Sequence, residues 1–350
     1  MPILEAMRVL AMAMLSFVIA FAITPLFLKL IRRFNLSKHI RSSESAPIYA
    51  ALHKNKAGTP TMGGIIIWGT VIFLAILFWV LSQIFDNYFS FFNFIDRAQT
   101  YLPLAVLAIA AILGLVDDIF GTLKIGPHGG GLQVRHKMIV YLLMALLGAL
   151  WFYYKLGWDI LQVPFLGDFK IDLWYIPIFI FIIVASAFST NETDGLDGLA
   201  GGVMLFAFIA LTVVAFALGR YHLATFSAAM IGALLAFLWF NIYPAQFFMG
   251  DTGSMSLGIT MGVIAMLTNT ILFLPFFAPI LVLESLSVIA QLASKKIYGK
   301  KIFLSTPIHH HFEAIGWPET KVTMRFWIIS AVVSAFGLAL FFLNRYIVQS

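Results

Sequence analysis

The residues best suited to chemistry stand in the stretch NETDGLDGLAGG, a polar and glycine-rich segment at positions 191 to 202 of an otherwise apolar sequence. Asn191, Asp194 and Asp197 are its candidate binding side chains. If the segment opens a helix, the spacing of three residues places both carboxylates on one face. Such a face suits a divalent cation or a phosphate-bearing substrate better than it suits a packed core.

A second set of acids stands at the ends of other apolar runs. Asp117 and Asp118 close the run AVLAIAAILGLVDD, and Asp251 lies between glycines in MGDTGS. A polar helix end is the plain alternative for the pair, although basic residues are the usual choice there. Asp251 can likewise be a simple helix cap. The small residues around it permit close backbone approach, and the start of the following helix can bind an anion.

These aspartates would repel one another if they converged, unless a cation compensated their charge. The chain has no cysteine, so neither disulfides nor thiolate metal sites are available. Oxygen ligands favour Mg²⁺ or Mn²⁺ over zinc. Because Mg²⁺ retains waters and usually bridges to substrate phosphates, the expected substrate is a nucleotide or a pyrophosphate.

Three consecutive histidines at 309 to 311 form another candidate site. Imidazole is a common metal ligand, but three neighbouring side chains cannot all point one way. Hydrogen bonding to a base, ribose or phosphate is therefore favoured over zinc, with a solvated loop as the plain alternative. Glu284 stands inside an apolar run, where an acid is costly and often functional. It can equally bond Ser285, Ser287 or another helix.

The elements that must position these residues are membrane-spanning helices. Of 350 residues, 61% are hydrophobic and 11% are charged, and the mean hydropathy is +0.96. A soluble chain carries about a quarter charged residues. Lipid-facing backbone must satisfy its own hydrogen bonds. The sequence thus predicts an all-α, polytopic membrane bundle that forms a single domain over residues 1–350.

Apolar runs of about 20 residues predict about ten spanning helices. They lie near 3–31, 61–84, 101–120, 136–155, 174–189, 200–218, 224–242, 253–268, 271–294 and 323–346. Lys and Arg, including Lys38, Arg41 and Lys54, concentrate in alternate loops, which the positive-inside rule assigns to the cytoplasm. Both termini are then expected on the outer, periplasmic side and all the polar motifs at the cytoplasmic face. The lysines at 295, 296, 300 and 301 are expected to contact anionic membrane lipid.

Five motifs carry a family resemblance, and they are KAGTPTMGG, LVDD, NETDGLDGLAGG, NIYPAQFFMGDTGS and TPIHHHFEAIGWPE, in this order. They resemble those of bacterial phospho-N-acetylmuramoyl-pentapeptide transferases, over essentially the whole chain. The DD, NxxDGxDGL and GDxGS elements are similar to the wider superfamily of polyprenyl-phosphate N-acetylhexosamine-1-phosphate transferases. The resemblance implies a multi-pass, usually dimeric enzyme of the bacterial inner membrane. It would use Mg²⁺ to transfer phospho-MurNAc-pentapeptide from UDP-MurNAc-pentapeptide to undecaprenyl phosphate, giving lipid I and UMP, with no nucleic-acid partner.

The resemblance also implies roles for individual residues. Asp117, Asp118 and Asp251 match the catalytic acids, with Asp251 as the metal ligand. The positions that match substrate-binding residues are Lys56, Thr61, Asn191, Asp194, Asp197, Asn241, Ser254, Gln291, His309, His310 and His311.

Two positions depart from the family pattern. Gly121 stands where relatives often carry a lysine, which makes Lys124 a candidate for the missing cation. Glu192 replaces an expected leucine, and nothing in the sequence explains this change.

The implied chemistry brings an anionic phosphate to an anionic pyrophosphate, so charge neutralisation by Mg²⁺, Lys56 and helix N-termini should contribute most. One-step, in-line attack is favoured, with Asp117 orienting the lipid phosphate or taking its remaining proton. A two-step route through an aspartyl-phosphate is the alternative.

Other functions stay open at this point. Transfer of GlcNAc-1-phosphate is the alternative within the superfamily. A transporter would explain the helices equally well, but transporters place polar sites near mid-membrane, whereas these acids are predicted at one face. Intramembrane aspartyl proteolysis also needs two acids, within helices at membrane depth.

Overall fold

A computed structural model describes residues 2–34, 56, 58–85, 89–96, 99–126 and 130–349 of the chain. Lys38, Arg41 and Lys54, which support the predicted orientation, lie outside the described residues. The α-helices within these ranges are α1 (Pro2–Arg33), α2 (Gly64–Ile84), α3 (Tyr101–Thr122), α4 (Val134–Leu150), α5 (Tyr175–Thr193), α6 (Leu199–Ala217), α7 (Tyr221–Asn241), α8 (Asp251–Leu267), α9 (Leu274–Phe277), α10 (Pro279–Tyr298), α11 (Ile308–Ala314) and α12 (Glu319–Gln349).

Within the described residues, 8 helices are long and apolar enough to cross a membrane, and a bent pair raises the number to 9. The predicted polytopic helical bundle is therefore confirmed. The predicted run at 253–268 corresponds to α8, which has only 17 residues. The run at 271–294 is broken, because the segment Ile271–Phe277 meets α10 at 92°.

The break has a local cause. Pro279 is the first residue of α10, and Ala278 before it has φ −132° and ψ 54°, outside the helical region. A proline has no N–H to continue the preceding helix and disfavours helical geometry in the residue before it. One continuous straight helix is therefore not possible here.

The all-α prediction missed one small sheet. Strands β1 (Ile160–Val163) and β2 (Gly167–Lys170) pair antiparallel, with Ile160 opposite Lys170. A π-helical turn, Trp151–Lys155, leads from α4 towards this hairpin. The hairpin is tied to the bundle, since the Phe165 N–H donates to Asn344 Oδ1 of α12 at 2.6 Å.

Helix α8 lies at the centre of the bundle. Residues 252–267 are all buried, and α2, α3, α5 and α6 pack around it. Glycines permit the close approach, because a Cβ at Gly64 would overlap the backbone of Gly253 and one at Gly114 would overlap the backbone of Asp251. The N-terminus of α8 is consequently surrounded by the ends of neighbouring helices.

Candidate active site

A lysine lies between two aspartates at the start of α8. Lys137 Nζ is 2.8 Å from Asp117 Oδ2 and 2.6 Å from Asp251 Oδ2. The three residues come from the end of α3, the first turn of α4 and the first residue of α8. The Asp117 side chain is 2% exposed and that of Asp251 is 21% exposed. Asp251 is thus the carboxylate of this cluster that a ligand can reach more easily.

Asp118 holds the backbone at the N-terminus of α8. Its two carboxylate oxygens accept the N–H groups of Asp251 and Thr252, each at 3.0 Å. A carboxylate that caps a helix N-terminus satisfies free N–H groups and interacts favourably with the helix dipole. The structure therefore gives this predicted catalytic residue a supporting contact, through which it fixes the position of Asp251.

The end of α5 closes another side of the cluster. Asn191 Nδ2 donates to Asp251 Oδ1 and, at 3.0 Å, to Ser254 Oγ. Asp194 Oδ2 accepts the Gly250 N–H at 3.2 Å. Two predicted substrate-binding residues, Asn191 and Asp194, therefore contact Asp251 or the backbone next to it, and a third, Ser254, is bound to Asn191.

A second lysine also lies between two carboxylates. Lys56 Nζ is 2.6 Å from Asp197 Oδ1 and 2.5 Å from Glu319 Oε1. Asp197 Oδ2 accepts the Ala245 N–H at 3.0 Å. Burial opposes the charge of Lys56, but Glu319 and Asp197 outweigh it and raise the pKa of this lysine. Lys56 is therefore a charged ammonium that is paired with two carboxylates.

Asp194 and Asp197 do not share a helix face, so that prediction is wrong. Helix α5 ends at Thr193 and α6 begins at Leu199, which leaves both acids in the turn between them. Gly198 in this turn has φ 74°, a conformation that favours glycine. The predicted site residue Asn241 supports the turn, because its Oδ1 accepts the Gly198 N–H at 3.0 Å.

Helix α11 carries the histidines, and the first of them is paired inside the protein. His309 Nδ1 is 3.0 Å from Glu284 Oε2, and both side chains are fully buried. Burial disfavours the charge on His309, but the Glu284 carboxylate outweighs it and raises the pKa of the imidazole. Gly195 lies against the ring, since a Cβ there would overlap His309 Nε2. This contact brings α11 to the turn that contains Asp194 and Asp197.

The other two histidines have different partners. His310 Nδ1 is 2.7 Å from Glu313 Oε2, and His311 Nδ1 accepts the Leu304 N–H at 3.3 Å. The His309 and His310 rings nevertheless lie side by side, with centroids 4.0 Å apart, and both approach Gly195, whereas His311 is bound elsewhere. The three imidazoles therefore do not all point one way, as the sequence predicts.

Two further predicted substrate-binding residues differ in whether other residues already bind their polar atoms. Gln291 Oε1 accepts the N–H groups of Ile302 and Phe303, and its Nε2 donates to the Phe303 carbonyl, so this amide supports a loop. Thr61 is buried, and its hydroxyl has no hydrogen-bond partner among the described residues. The hydroxyl lies close to Gly250, next to Asp251.

Sequence reasoning missed Lys137, Tyr141 and Glu319 as site residues. Lys124, the suggested replacement for a missing lysine, is exposed, whereas Lys137 lies between the acids. Tyr141 stands one helical turn after Lys137, and its buried hydroxyl has no partner within the described part of the chain. A charge inside a predicted membrane span was the signal that could have identified Lys137.

The arrangement suits phosphate chemistry with a hard metal ion. Among the residues that the structure describes, no three His, Cys, Asp or Glu side chains are placed to hold a metal ion. An ion bound by Asp251 would complete its coordination with water and substrate oxygens, which is the usual binding mode of Mg²⁺.

Comparison with known proteins connects this geometry to a family. Residues 100–269 match Glycosyl transferase family 4, and residues 56–67 match the phospho-N-acetylmuramoyl-pentapeptide-transferase signature 1. The chain is 37% identical to the phospho-N-acetylmuramoyl-pentapeptide-transferase of Anoxybacillus flavithermus over 332 residues, which cover 94% of this chain and 97% of that protein. It is 38% identical to the enzyme of the same name from Chloroflexus aurantiacus over 346 residues, 95% of this chain and 89% of the relative. The corresponding protein of Clostridium novyi is 38% identical over 328 residues, 93% and 94% of the two chains.

Proposed function

Because the chain belongs to the phospho-N-acetylmuramoyl-pentapeptide transferase family, we propose that the cluster of Asp117, Lys137 and Asp251 is its transfer site. The enzyme transfers phospho-MurNAc-pentapeptide from UDP-MurNAc-pentapeptide to undecaprenyl phosphate. The products are lipid I and UMP, and the reaction is the first membrane step of peptidoglycan synthesis. The protein is a multi-pass protein of the bacterial inner membrane.

The observation that carries this assignment is the position of Lys137 between two carboxylates at the N-terminus of α8. The reaction requires two anionic groups to approach each other, so fixed positive charge is the main requirement. The Lys137 ammonium supplies one such charge. Because Asp117 and Asp251 together carry two negative charges, a bound cation would have to supply the rest. The Asp118 carboxylate, in turn, keeps the backbone of Asp251 in place.

The donor set fits Mg²⁺, since Asp117 and Asp251 offer carboxylate oxygens and the whole chain lacks cysteine. Asp251 is the proposed metal ligand because its carboxylate is the more exposed one. When bound there, Mg²⁺ would neutralise charge on the pyrophosphate and help to orient it.

The proposed chemical step is a single in-line displacement. A phosphate oxygen of the lipid attacks the phosphorus that carries the sugar. The bond from that phosphorus to the bridging oxygen breaks, and the electron pair leaves on UMP. A phosphate monoester has a second pKa near ~6, so most of the lipid phosphate needs no base at neutral pH. Asp117 orients it or takes its remaining proton, while Lys137 offsets the charge on the departing UMP.

A covalent aspartyl-phosphate would require a different order of events. Phosphorylated enzyme would then form with the nucleotide substrate alone, before lipid is added. Trapping such a species would replace the one-step mechanism.

We further propose that the site faces the cytoplasm, with both termini outside, and that the enzyme works as a homodimer. The excess of Lys and Arg in the loops assigned to the cytoplasm supports this orientation. Lys295, Lys296, Lys300 and Lys301 are all exposed at or after the end of α10, as contact with anionic lipid requires. Labelling of single cysteines from either side of the membrane tests the orientation, and native mass spectrometry tests the dimer.

The decisive experiment measures UMP release by purified protein in detergent, with both substrates and with or without Mg²⁺. We expect release that requires lipid and Mg²⁺ and that Asp251→Asn abolishes. Asp172→Asn is the matched control, because Asp172 is an exposed acid paired with Lys170 next to the β-hairpin. Unchanged release by Asp251→Asn would contradict the assigned site, and equal use of UDP-GlcNAc would contradict the assigned substrate.

A further inference from the structure

One face of α12 contacts the turn between α5 and α6 through three residues. Glu319, Thr323 and Trp327 are spaced by four and therefore lie on one side of the helix. We call them the α12 stripe. They follow the histidine helix in the chain and fall outside both matched family segments, which cover residues 56–67 and 100–269.

The α12 stripe binds consecutive backbone groups of the turn. Glu319 Oε1 accepts the Asp197 N–H at 2.6 Å, and Thr323 Oγ1 donates to the Asp197 carbonyl at 3.3 Å. Trp327 Nε1 donates to the Gly198 carbonyl at 3.1 Å. Three polar side chains thus fix the peptide groups on either side of Asp197.

The fit between the stripe and the turn is close. A Cβ at Gly202, in the first turn of α6, would overlap the Trp327 indole ring. Asn241 binds the Gly198 N–H from the other side of the turn. The backbone of Asp197 and Gly198 is therefore held from α12 and from α7 together.

Glu319 has a second partner, the Lys56 ammonium at 2.5 Å. This lysine also contacts the Asp197 carboxylate, so Glu319 joins the backbone of Asp197 and its side-chain partner in one network. The opposite side of α12 is apolar and exposed, as Ile328, Val332 and Phe336 show. Three polar side chains that converge on one turn are unusual for a helix that otherwise suits a lipid environment.

We infer that Glu319 is a positioning residue of the substrate site, which aligns Lys56 and the Asp197 turn, with Thr323 and Trp327 completing the support. This inference rests on the proposed function, since Lys56 and Asp197 are proposed substrate contacts. Glu319 touches neither the acids of the transfer site nor the histidines through any described contact. It acts through the two residues it holds.

Steady-state kinetics of Glu319→Ala test the inference. Displacement of a positioned group by about 1 Å can cost about 10²-fold, so we expect kcat/KM to fall by up to that factor, largely through KM for the nucleotide. Glu319→Gln retains an oxygen that can accept the Asp197 N–H and should restore part of the loss. Asn344→Ala is the matched control, because it removes a buried side chain to loop hydrogen bond at the other end of the same helix. It should lower Tm without changing kcat/KM.

A double-mutant cycle distinguishes positioning from general stability. Because Glu319 acts partly through Lys56, Lys56→Met combined with Glu319→Ala should lose clearly less than the product of the two single losses. The loss that remains in the Lys56→Met background comes from the Glu319 contact with the Asp197 N–H. Losses that multiply in the double variant would overturn the inference. So would Glu319→Ala with wild-type kinetics and a lowered Tm.

A measurement without substrate separates this inference from the proposed function. Lys56 is 17% exposed and paired with both acids. Its acetylation by acetic anhydride, followed by mass spectrometry, should be faster in Glu319→Ala than in wild type. If wild-type protein releases no UMP, the proposed function fails, and the acetylation rate alone decides the inference. An unchanged rate would overturn it.

Discussion

Two lysines in this structure each lie between two carboxylates, but their surroundings differ. Lys137 contacts Asp117 and Asp251 at the N-terminus of a central helix, where the Thr61 and Tyr141 hydroxyls have no hydrogen-bond partner among the described residues. Around Lys56, the carboxylates of Asp197 and Glu319 both accept backbone N–H groups. In the Lys137 cluster Asp117 accepts the Leu132 N–H, whereas the more exposed Asp251 carboxylate contacts the side chains of Lys137 and Asn191. We therefore propose that the same three charges serve chemistry in one place and hold a turn in the other. The difference lies in the groups that the neighbouring residues leave available for a ligand.

The largest expected effect comes from removing each ammonium in turn. Lys137→Met should lower kcat by about 10³-fold, as expected for a preorganised charge next to the reacting phosphates. Lys56→Met should lower kcat/KM by about 10²-fold, with the loss mainly in KM, because it displaces binding groups. UMP release under saturating and limiting nucleotide measures both. Equal losses in kcat for the two variants would remove the distinction between the clusters.

Removing the cap on α8 should affect the transfer site more than the Lys56 cluster. Asp118→Ala frees two N–H groups, and loss of such a cap costs about 1–2 kcal/mol. We expect a Tm lower by a few degrees in detergent together with a fall in kcat. The acetylation rate of Lys56 should stay at the wild-type value. A faster rate would mean that the two clusters are mechanically coupled.

A smaller effect should follow from changing an unpartnered hydroxyl. Thr61→Val keeps the shape of the side chain and removes a buried polar group that no described residue satisfies. If the hydroxyl serves the substrate, KM should rise by about tenfold, equivalent to ~1.4 kcal/mol, while Tm stays the same or rises. Thr70→Val is the control, since this buried threonine lies within α2, whereas Thr61 precedes that helix. A lowered Tm with unchanged KM would give Thr61 a structural role.

The smallest effect concerns a third buried pair, His309 and Glu284. The folded-state pKa of His309 is raised above the ordinary value of about 6.5, so the protonated form is favoured in the native state. Its contribution to stability is fully present below pH ~6.5 and is lost as the pH rises through the raised pKa. The Tm difference between wild type and Glu284→Gln should therefore shrink with rising pH. A constant difference across pH 6 to 9 would show that the pair is not ionised.

The amino-acid sequence predicts the structure well where one short segment determines the local fold. Hydropathy placed most of the helices, and the polar ends of apolar runs marked Asp117, Asp118 and Asp251, which the structure brings to one end of α8. Local propensity also explains the break before Pro279, because a proline disfavours helical geometry in the residue before it.

The contacts between side chains that are distant in the sequence could not be predicted in this way. Lys137 and Asp251 are separated by 114 positions, and Lys56 and Glu319 by 263. No local periodicity connects such residues, because their contact depends on how whole helices pack. The error on Asp194 and Asp197 has the same origin. Their spacing would place both on one face of a helix. Instead, the helix ends at Thr193 and Gly198 has a positive φ, so both acids lie in a turn and are bound by different neighbours.

The close contact between Gly114 and the backbone of Asp251 has a consequence for the tolerance of the enzyme to mutation. A single methyl group at Gly114 would push α3 and α8 apart at the point where Asp118 caps α8 and Asp117 meets Lys137. In a saturation library selected for growth, Gly114 should therefore lose fitness with every substitution, although it has no functional group. Such a screen would identify this glycine as essential together with the acids. The set of essential positions would therefore include residues at the contact between α3 and α8.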